Sequence, residues 1–325
     1  MDSLKMVVLD GYVLNPGDLD WAPLESLGSL TVYDHTDPGD IVSRIGDAEI
    51  IFTNKTPITA ETLGQVPDLK FFGELATGYD NIDVAAAVSK GITVCNVPEY
   101  STQVVAQFTL GLLLELCHHI GEHNDLVHQG AWQERNQFSF WAYPQTELAG
   151  KTAGLIGFGK IGQQTARIFT ALGMQILYTC PSGPKDNTPE GCTFVQADEM
   201  FARADIISLH CPLFSENRHM ICKESIRKMK DGVMILNTAR GGLIDPADLA
   251  EALVSGKVGG AALDVAETEP MPDGNPLLGA PNCILTPHLA WTAFEARKRL
   301  IRITADNVSA FLNGTPVNTV APKNR

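Results

Sequence analysis

The sequence predicts an α/β protein made of two doubly wound parallel-sheet domains. Short β-type runs recur along the chain, each closed by a turn signal and followed by a helix-like segment. Several runs, such as Glu49-Ile50-Ile51-Phe52, are nearly continuously apolar, as strands covered on both faces require. The length of 325 residues favours two domains over one.

In the first third the strand-like runs fall at 6–10, 30–34, 49–53, 70–75 and 92–96. Helix starts lie between them, at Thr59-Ala60-Glu61-Thr62 and Asp83-Val84-Ala85-Ala86. Asn96-Val97-Pro98-Glu99-Tyr100 reads as a connection, and Ser101 as the N-cap of a long apolar helix through Cys117. An irregular, aromatic-rich stretch is expected at 132–144. A second series starts at Lys151, with strand-like runs at 152–157, 175–179, 206–210, 233–237, 261–265 and 283–286. The tail at 292–312 is helical by pattern with no strand to follow, so it is expected to return to the first domain. The expected domains are 1–100, 101–290 and a returning segment 291–325.

Composition narrows the function. Apolar residues make up 44%, enough for a sizeable core, and the net charge is -14. So acidic a protein is repelled by nucleic acid and by anionic membranes, and neither is expected as a partner. An anionic substrate would need a local cation. No run is long and apolar enough to span a bilayer, and no secretory signal precedes the first strand-like run. The seven cysteines are scattered without a CxxC pair, which fits reduced thiols in a cytoplasm and no metal site.

Gly157-Phe158-Gly159-Lys160-Ile161-Gly162 matches GxGxxG. It follows the apolar run Ala153-Gly154-Leu155-Ile156 and opens a helix, the setting a dinucleotide site requires. Gly157 permits the tight turn, Gly159 lets the backbone approach a pyrophosphate, and Gly162 lets helix and strand pack closely. The helix N-terminus offers N–H groups and partial positive charge to the phosphates. The next strand ends Tyr178-Thr179-Cys180-Pro181-Ser182, with no acid until Asp186. A carboxylate there would hold the adenine ribose and repel a 2′-phosphate. Its absence leaves NAD and NADP both open, with Thr179, Ser182 and Lys185 near enough in sequence to accommodate a phosphate.

Three later strand-like runs lead into conspicuous polar residues: Asn237-Thr238-Ala239-Arg240, Asp264-Val265 with Glu269-Pro270, and Thr286-Pro287-His288. In a doubly wound sheet the carboxyl ends of the strands face one crevice, so Arg240, Glu269 and His288 are expected to converge there. Hydride addition to a ketone leaves negative charge on oxygen. A protonated imidazole can donate to it, a carboxylate stabilises that imidazolium, and an always-charged fork suits a 2-keto carboxylate. Each residue alone has an ordinary structural explanation; three at strand ends downstream of a glycine loop make a site.

These segments, with Ser208-Leu209-His210-Cys211-Pro212-Leu213, Met229-Lys230-Asp231-Gly232 and Gly260–Asp264, resemble the D-isomer-specific 2-hydroxyacid dehydrogenases. The subgroup most similar is the glycerate dehydrogenases, also called hydroxypyruvate or glyoxylate reductases. The resemblance implies a Rossmann dinucleotide-binding domain inserted in a flavodoxin-like substrate domain. It makes Arg240 the substrate anchor and Glu269 with His288 the acid–base pair. It assigns the cofactor, NAD or NADP, to Gly157, Gly159, Lys160, Ile161, Gly162, Thr238, Ala239, Arg240, Asp264, His288 and Trp291. Cys180 stands in place of the usual acid, and His210, Cys211 and Pro212 line the same cleft. Ala76, Thr77 and Gly78 would hold the substrate carboxylate with Arg240 and His288. Lys55 is either directed to the cleft or a plain surface lysine.

The resemblance also implies a homodimer through 101–145, with Phe138, Phe140 and Trp141 either burying the interface or, for Trp141, reaching the partner's site. Trp291, following His288, is expected to narrow the substrate pocket. Glutamate at 269 argues against the similar formate dehydrogenases. A dinucleotide-sensing corepressor-like binding protein, or a dehydrogenase for a different 2-keto acid, is the alternative.

Overall fold

The computed structural model describes residues 3–186 and 188–322. It divides into one unit of residues 1–101 and 291–325 and a second of residues 102–290. The first unit thus begins and ends the chain, with its boundary one residue later than expected.

The first unit holds β1 (Lys5–Val8), β2 (Ser29–Val32), β3 (Ile50–Thr53), β4 (Phe71–Glu74) and β5 (Thr93–Cys95), parallel and in the order β2-β1-β3-β4-β5. This is the flavodoxin-like order. β3 and β4 are buried along their whole length, as their apolar runs require. Thr59 and Asp83 cap the helices that follow β3 and β4, accepting from the N–H groups of Thr62 and Ala86. The terminal helix, Phe294–Leu312, packs here: the Phe311 ring lies 5.0 Å from that of Phe71. Arg297 grips both oxygens of Asp18 at 2.7 and 2.6 Å. Beyond it, Thr319 forms an antiparallel bridge to Cys95, a strand-like contact the sequence did not reveal.

Where the strand order reverses, beside β1, Asp10 is buried. Its carboxylate accepts from the N–H groups of Asn54, Lys55 and Thr56 at 2.8, 2.6 and 2.7 Å, and from the Thr53 hydroxyl at 2.8 Å. So many donors compensate a buried charge and fix the turn that carries the exposed Lys55.

The second unit holds β6 (Thr152–Ile156), β7 (Gln175–Thr179), β8 (Cys192–Phe194), β9 (Ile206–Leu209), β10 (Val233–Asn237), β11 (Val258–Leu263) and β12 (Cys283–Leu285). All are parallel, in the order β12-β11-β10-β9-β6-β7-β8, which reverses between β6 and β9. That is the Rossmann order with an added strand, and the reversal is where such sheets open a ligand crevice.

Three details depart from the sequence reading. β8 was not expected; β11 begins at Val258 rather than 261; and Ala131–Arg135 is a helix, so the irregular stretch starts later than 132. The Thr102–His118 helix buries Leu112, Leu113 and Leu116 against the second sheet's core. It breaks at His119 (φ 48°) before the Ile120–His128 helix, at a bend of 56°. Among the described residues no single helix is long and apolar enough to cross a membrane.

Candidate active site

The glycine loop connects β6 to the Lys160–Ala171 helix. Gly157 has φ +95°, and a Cβ there would lie 2.6 Å from the His210 carbonyl. A Cβ on Gly162 would lie 2.3 Å from the Gly157 oxygen. Both positions therefore exclude any other residue. Gly159 differs: a Cβ there would meet nothing within 4 Å, and no side chain caps the helix it precedes. An open approach at Gly159 beside an uncapped helix N-terminus suits a pyrophosphate, so the residues present fit a dinucleotide. Lys160 and Gly159 are exposed, Ile161 half-buried.

His210 follows β9, and its N–H donates to the Ile156 carbonyl at 2.7 Å, placing it against the glycine loop. Its ring lies 2.9 Å from the Ser208 hydroxyl, and burial pushes it down to about 4, so it is neutral. Burial pushes the Cys211 thiol up to about 11, which makes it inert as a nucleophile. The Asn217 side chain donates to the Pro212 carbonyl at 2.8 Å and fixes this turn.

Arg240 lies three residues past β10. The buried Asn237 that ends the strand shapes its turn: Asn237 Oδ1 accepts from Ala239 N–H at 3.0 Å, and Nδ2 donates to the Arg240 carbonyl at 2.9 Å. Arg240 Nη1 donates to the Ala239 carbonyl at 2.7 Å. The Thr238 hydroxyl pairs with Thr109 of the Thr102–His118 helix at 3.0 Å. Gly241 brings this turn against the next one: a Cβ there would stand 1.9 Å from the Ala266 carbonyl carbon. No side chain fits at that approach, so the Arg240 turn and the segment leading to Glu269 touch backbone to backbone.

Glu269 and His288 meet directly. His288 Nδ1 donates to Glu269 Oε2 at 2.7 Å, and Glu269 Oε1 accepts from Ala266 N–H at 3.1 Å. With Nδ1 so used, His288 presents Nε2, which has no partner among the described residues. The Glu269 segment is anchored through Glu267, which pairs with Arg218 and lies 2.8 Å from His219 Nε2.

His288 has φ 57°, unusual for a residue with a side chain. Asp264 holds it there. Its carboxylate accepts from the Thr286 hydroxyl at 2.6 Å, Leu289 N–H at 2.7 Å and Ala290 N–H at 2.8 Å, while its carbonyl accepts from His288 N–H at 2.9 Å. Asp264 is 0% exposed, its carboxylate turned to these donors. It acts on the site through the 286–290 turn, because a buried carboxylate must be saturated by donors. Asn237 and Asp264 are the residues that sequence reasoning missed in these roles. The signal was a polar residue closing an otherwise apolar strand.

Trp291 is 8% exposed and packs edge-on to Tyr100 at 6.5 Å, inside the first unit. The Ala76-Thr77-Gly78 turn belongs to that unit too, pinned by the Thr77 hydroxyl to the Val97 carbonyl at 2.7 Å and by Asn96 Nδ2 to the Thr77 carbonyl at 2.7 Å.

Residues 110–290 match the family model described as D-isomer specific 2-hydroxyacid dehydrogenase, NAD binding domain. The chain belongs to that family. It is 53% identical to a hydroxypyruvate reductase of Blautia hydrogenotrophica, over 98% of this chain and 99% of that one. It is 41% identical to a glycerate dehydrogenase of Methylorubrum extorquens, over 87% of this chain and 88% of that one. A glyoxylate reductase structure from Paecilomyes thermophila superposes with a TM-score of 0.85 at 29% identity, covering all of both chains. The protein is thus an oxidoreductase acting on a CH–OH group with NAD or NADP.

Proposed function

We propose that the protein reduces hydroxypyruvate and glyoxylate to D-glycerate and glycolate, with Arg240, Glu269 and His288 as its reacting set. The observation that carries this reading is the 2.7 Å contact between His288 Nδ1 and Glu269, which leaves Nε2 with no hydrogen-bond partner among the described residues. The names of the relatives supply the substrate class.

The bound dinucleotide supplies the hydride or takes it up. The substrate carboxylate is held by the Arg240 fork, whose planar donors match it two to two. The Ala76–Gly78 turn is proposed as a second carboxylate contact. His288 Nε2–H donates to the carbonyl oxygen as charge develops there, and Glu269 stabilises the imidazolium until the proton has moved. In the oxidative direction the neutral imidazole takes the hydroxyl proton back at Nε2. Asp264 and Asn237 position His288 and Arg240 without touching substrate.

We further propose a cytoplasmic homodimer formed through 101–145. Phe138 is 97% and Trp141 68% exposed, an apolar pair that a second copy would cover, and all seven cysteines are free thiols. Static light scattering checks the mass. The mechanism is tested by Arg240→Ala and His288→Ala, assayed on hydroxypyruvate, glyoxylate, pyruvate and bulkier 2-keto acids. Each variant should lose turnover by about 10³-fold or more while dinucleotide affinity holds. Near-normal rates in either variant refute the mechanism, and a bulky acid as best substrate refutes the substrate assignment.

A further inference from the structure

We propose that the chain prefers the 2′-phosphorylated dinucleotide, NADP(H), and that Lys185 with Ser182 grips the phosphate. This rests on the reading of the second unit as dinucleotide-binding. β7 is that unit's second strand, and the residue closing such a strand faces the adenine ribose. Cys180 stands there. Its Sγ donates to the Gly183 carbonyl at 3.0 Å and lies 3.6 Å from the Ser182 hydroxyl, which in turn accepts from Lys185 Nζ at 2.6 Å. A strand-end thiol, a hydroxyl and an ammonium thus form one contiguous run where an NAD site would place a carboxylate.

The run is held against the glycine loop. Lys185 N–H donates to the Tyr178 hydroxyl at 3.0 Å, and the Thr188 hydroxyl, 2.8 Å from that of Tyr178, donates to the Lys185 carbonyl at 2.6 Å. The Tyr178 ring stacks on Phe158, between Gly157 and Gly159, at 3.8 Å and 16°. The aromatic pair backing the pyrophosphate turn is therefore the one that positions the Lys185 backbone.

The charges point the same way. In a chain of net charge -14, the Lys185 ammonium has no carboxylate within ion-pair distance among the described residues. The exposed Asp186 side chain makes no ion pair with the Lys185 ammonium and no hydrogen bond to Ser182 among those residues. An ammonium beside a hydroxyl offers donors and charge to a phosphate dianion. A plain ribose 2′-hydroxyl gains little from them and lacks the carboxylate acceptor it would otherwise meet.

The test is calorimetric titration of the protein with NADPH, NADH, adenosine 2′,5′-bisphosphate and AMP. We expect NADPH to bind about tenfold or more tightly than NADH, and the bisphosphate to outbind AMP similarly. Lys185→Ala should weaken NADPH by about tenfold and NADH by less than about twofold, and Cys180→Asp should reverse the preference. Equal or tighter NADH binding, or equal loss for both dinucleotides in Lys185→Ala, overturns the proposal. Binding of neither dinucleotide overturns the dinucleotide-binding reading itself, an outcome distinct from a lost preference.

Discussion

Glu269→Gln isolates what the carboxylate does for His288. The substitution keeps side-chain length and can keep the bond accepted from Ala266 N–H, so the segment before β12 should stay in place. It replaces the oxygen 2.7 Å from His288 Nδ1 with an N–H₂ group or a neutral oxygen. A hydrogen bond to a charged group contributes about 1.5–3 kcal/mol. The Glu269 side chain is 36% and His288 26% exposed, so solvent screening puts the value near the lower end, about 1.5–2 kcal/mol. In the oxidative direction the imidazolium forms only as the hydroxyl proton moves to Nε2, so there the loss falls on the barrier and amounts to about 10- to 30-fold in kcat. Steady-state rates with saturating dinucleotide measure it, and direct titration gives dinucleotide Kd. A kcat within about twofold of the parent, or a loss of dinucleotide affinity as large as the loss of kcat, would refute the reasoning.

Three further outcomes follow from neighbouring geometry. Gly241→Ala drives a methyl into the Ala266 backbone, 1.9 Å away, and should cost about 3 kcal/mol or displace both turns, read as a fall in Tm together with kcat. Asp264→Asn leaves one of three bound donors facing an N–H₂ group; it should lower kcat by one to two orders of magnitude without abolishing cooperative unfolding, as stopped-flow rates and calorimetry will report. His210 has a folded pKa near 4, below the ordinary 6.5, so the unfolded chain takes up its proton first as pH falls. Its contribution is full above about 6.5 and is lost progressively towards 4, up to about 3 kcal/mol. His210→Gln should flatten Tm against pH across that window.

Most of the sheet was legible because buried parallel strands must be apolar on both faces. β3, β4, β6 and β10 announce themselves this way. β8 did not: Cys192-Thr193-Phe194 is an edge strand with only partly buried ends, and edge strands need no apolar run. The start of β11 was hidden by Gly259 and Gly260, which read as a break. They are glycine because a Cβ on Gly259 would meet the Gly232 oxygen at 2.7 Å and one on Gly260 would meet Leu116 at 3.1 Å. At the proposed site, residue types at strand ends singled out Arg240, Glu269 and His288, since their chemistry is distinctive, and the structure brings Glu269 and His288 into contact. The positioning roles of Asn237 and Asp264 were not legible because a polar residue's duty depends on which donors surround it, and the burial of Trp291 depends on a partner, Tyr100, distant in sequence.

The Tyr100–Trp291 contact has a kinetic meaning. It closes a segment of roughly 190 residues, because the chain leaves the first unit after Ser101 and re-enters at Trp291. Were that segment unstructured, joining its ends would cost about 4–5 kcal/mol of chain entropy before Phe311 could reach Phe71. A second unit folded first, with its two ends held side by side, removes that cost. On the ribosome the first 101 residues emerge long before the Phe294–Leu312 helix that covers them, so the apolar face around Phe71 stays open while some 190 residues are made. Refolding of the whole chain should therefore show two phases, the slower reporting the return of the terminal helix.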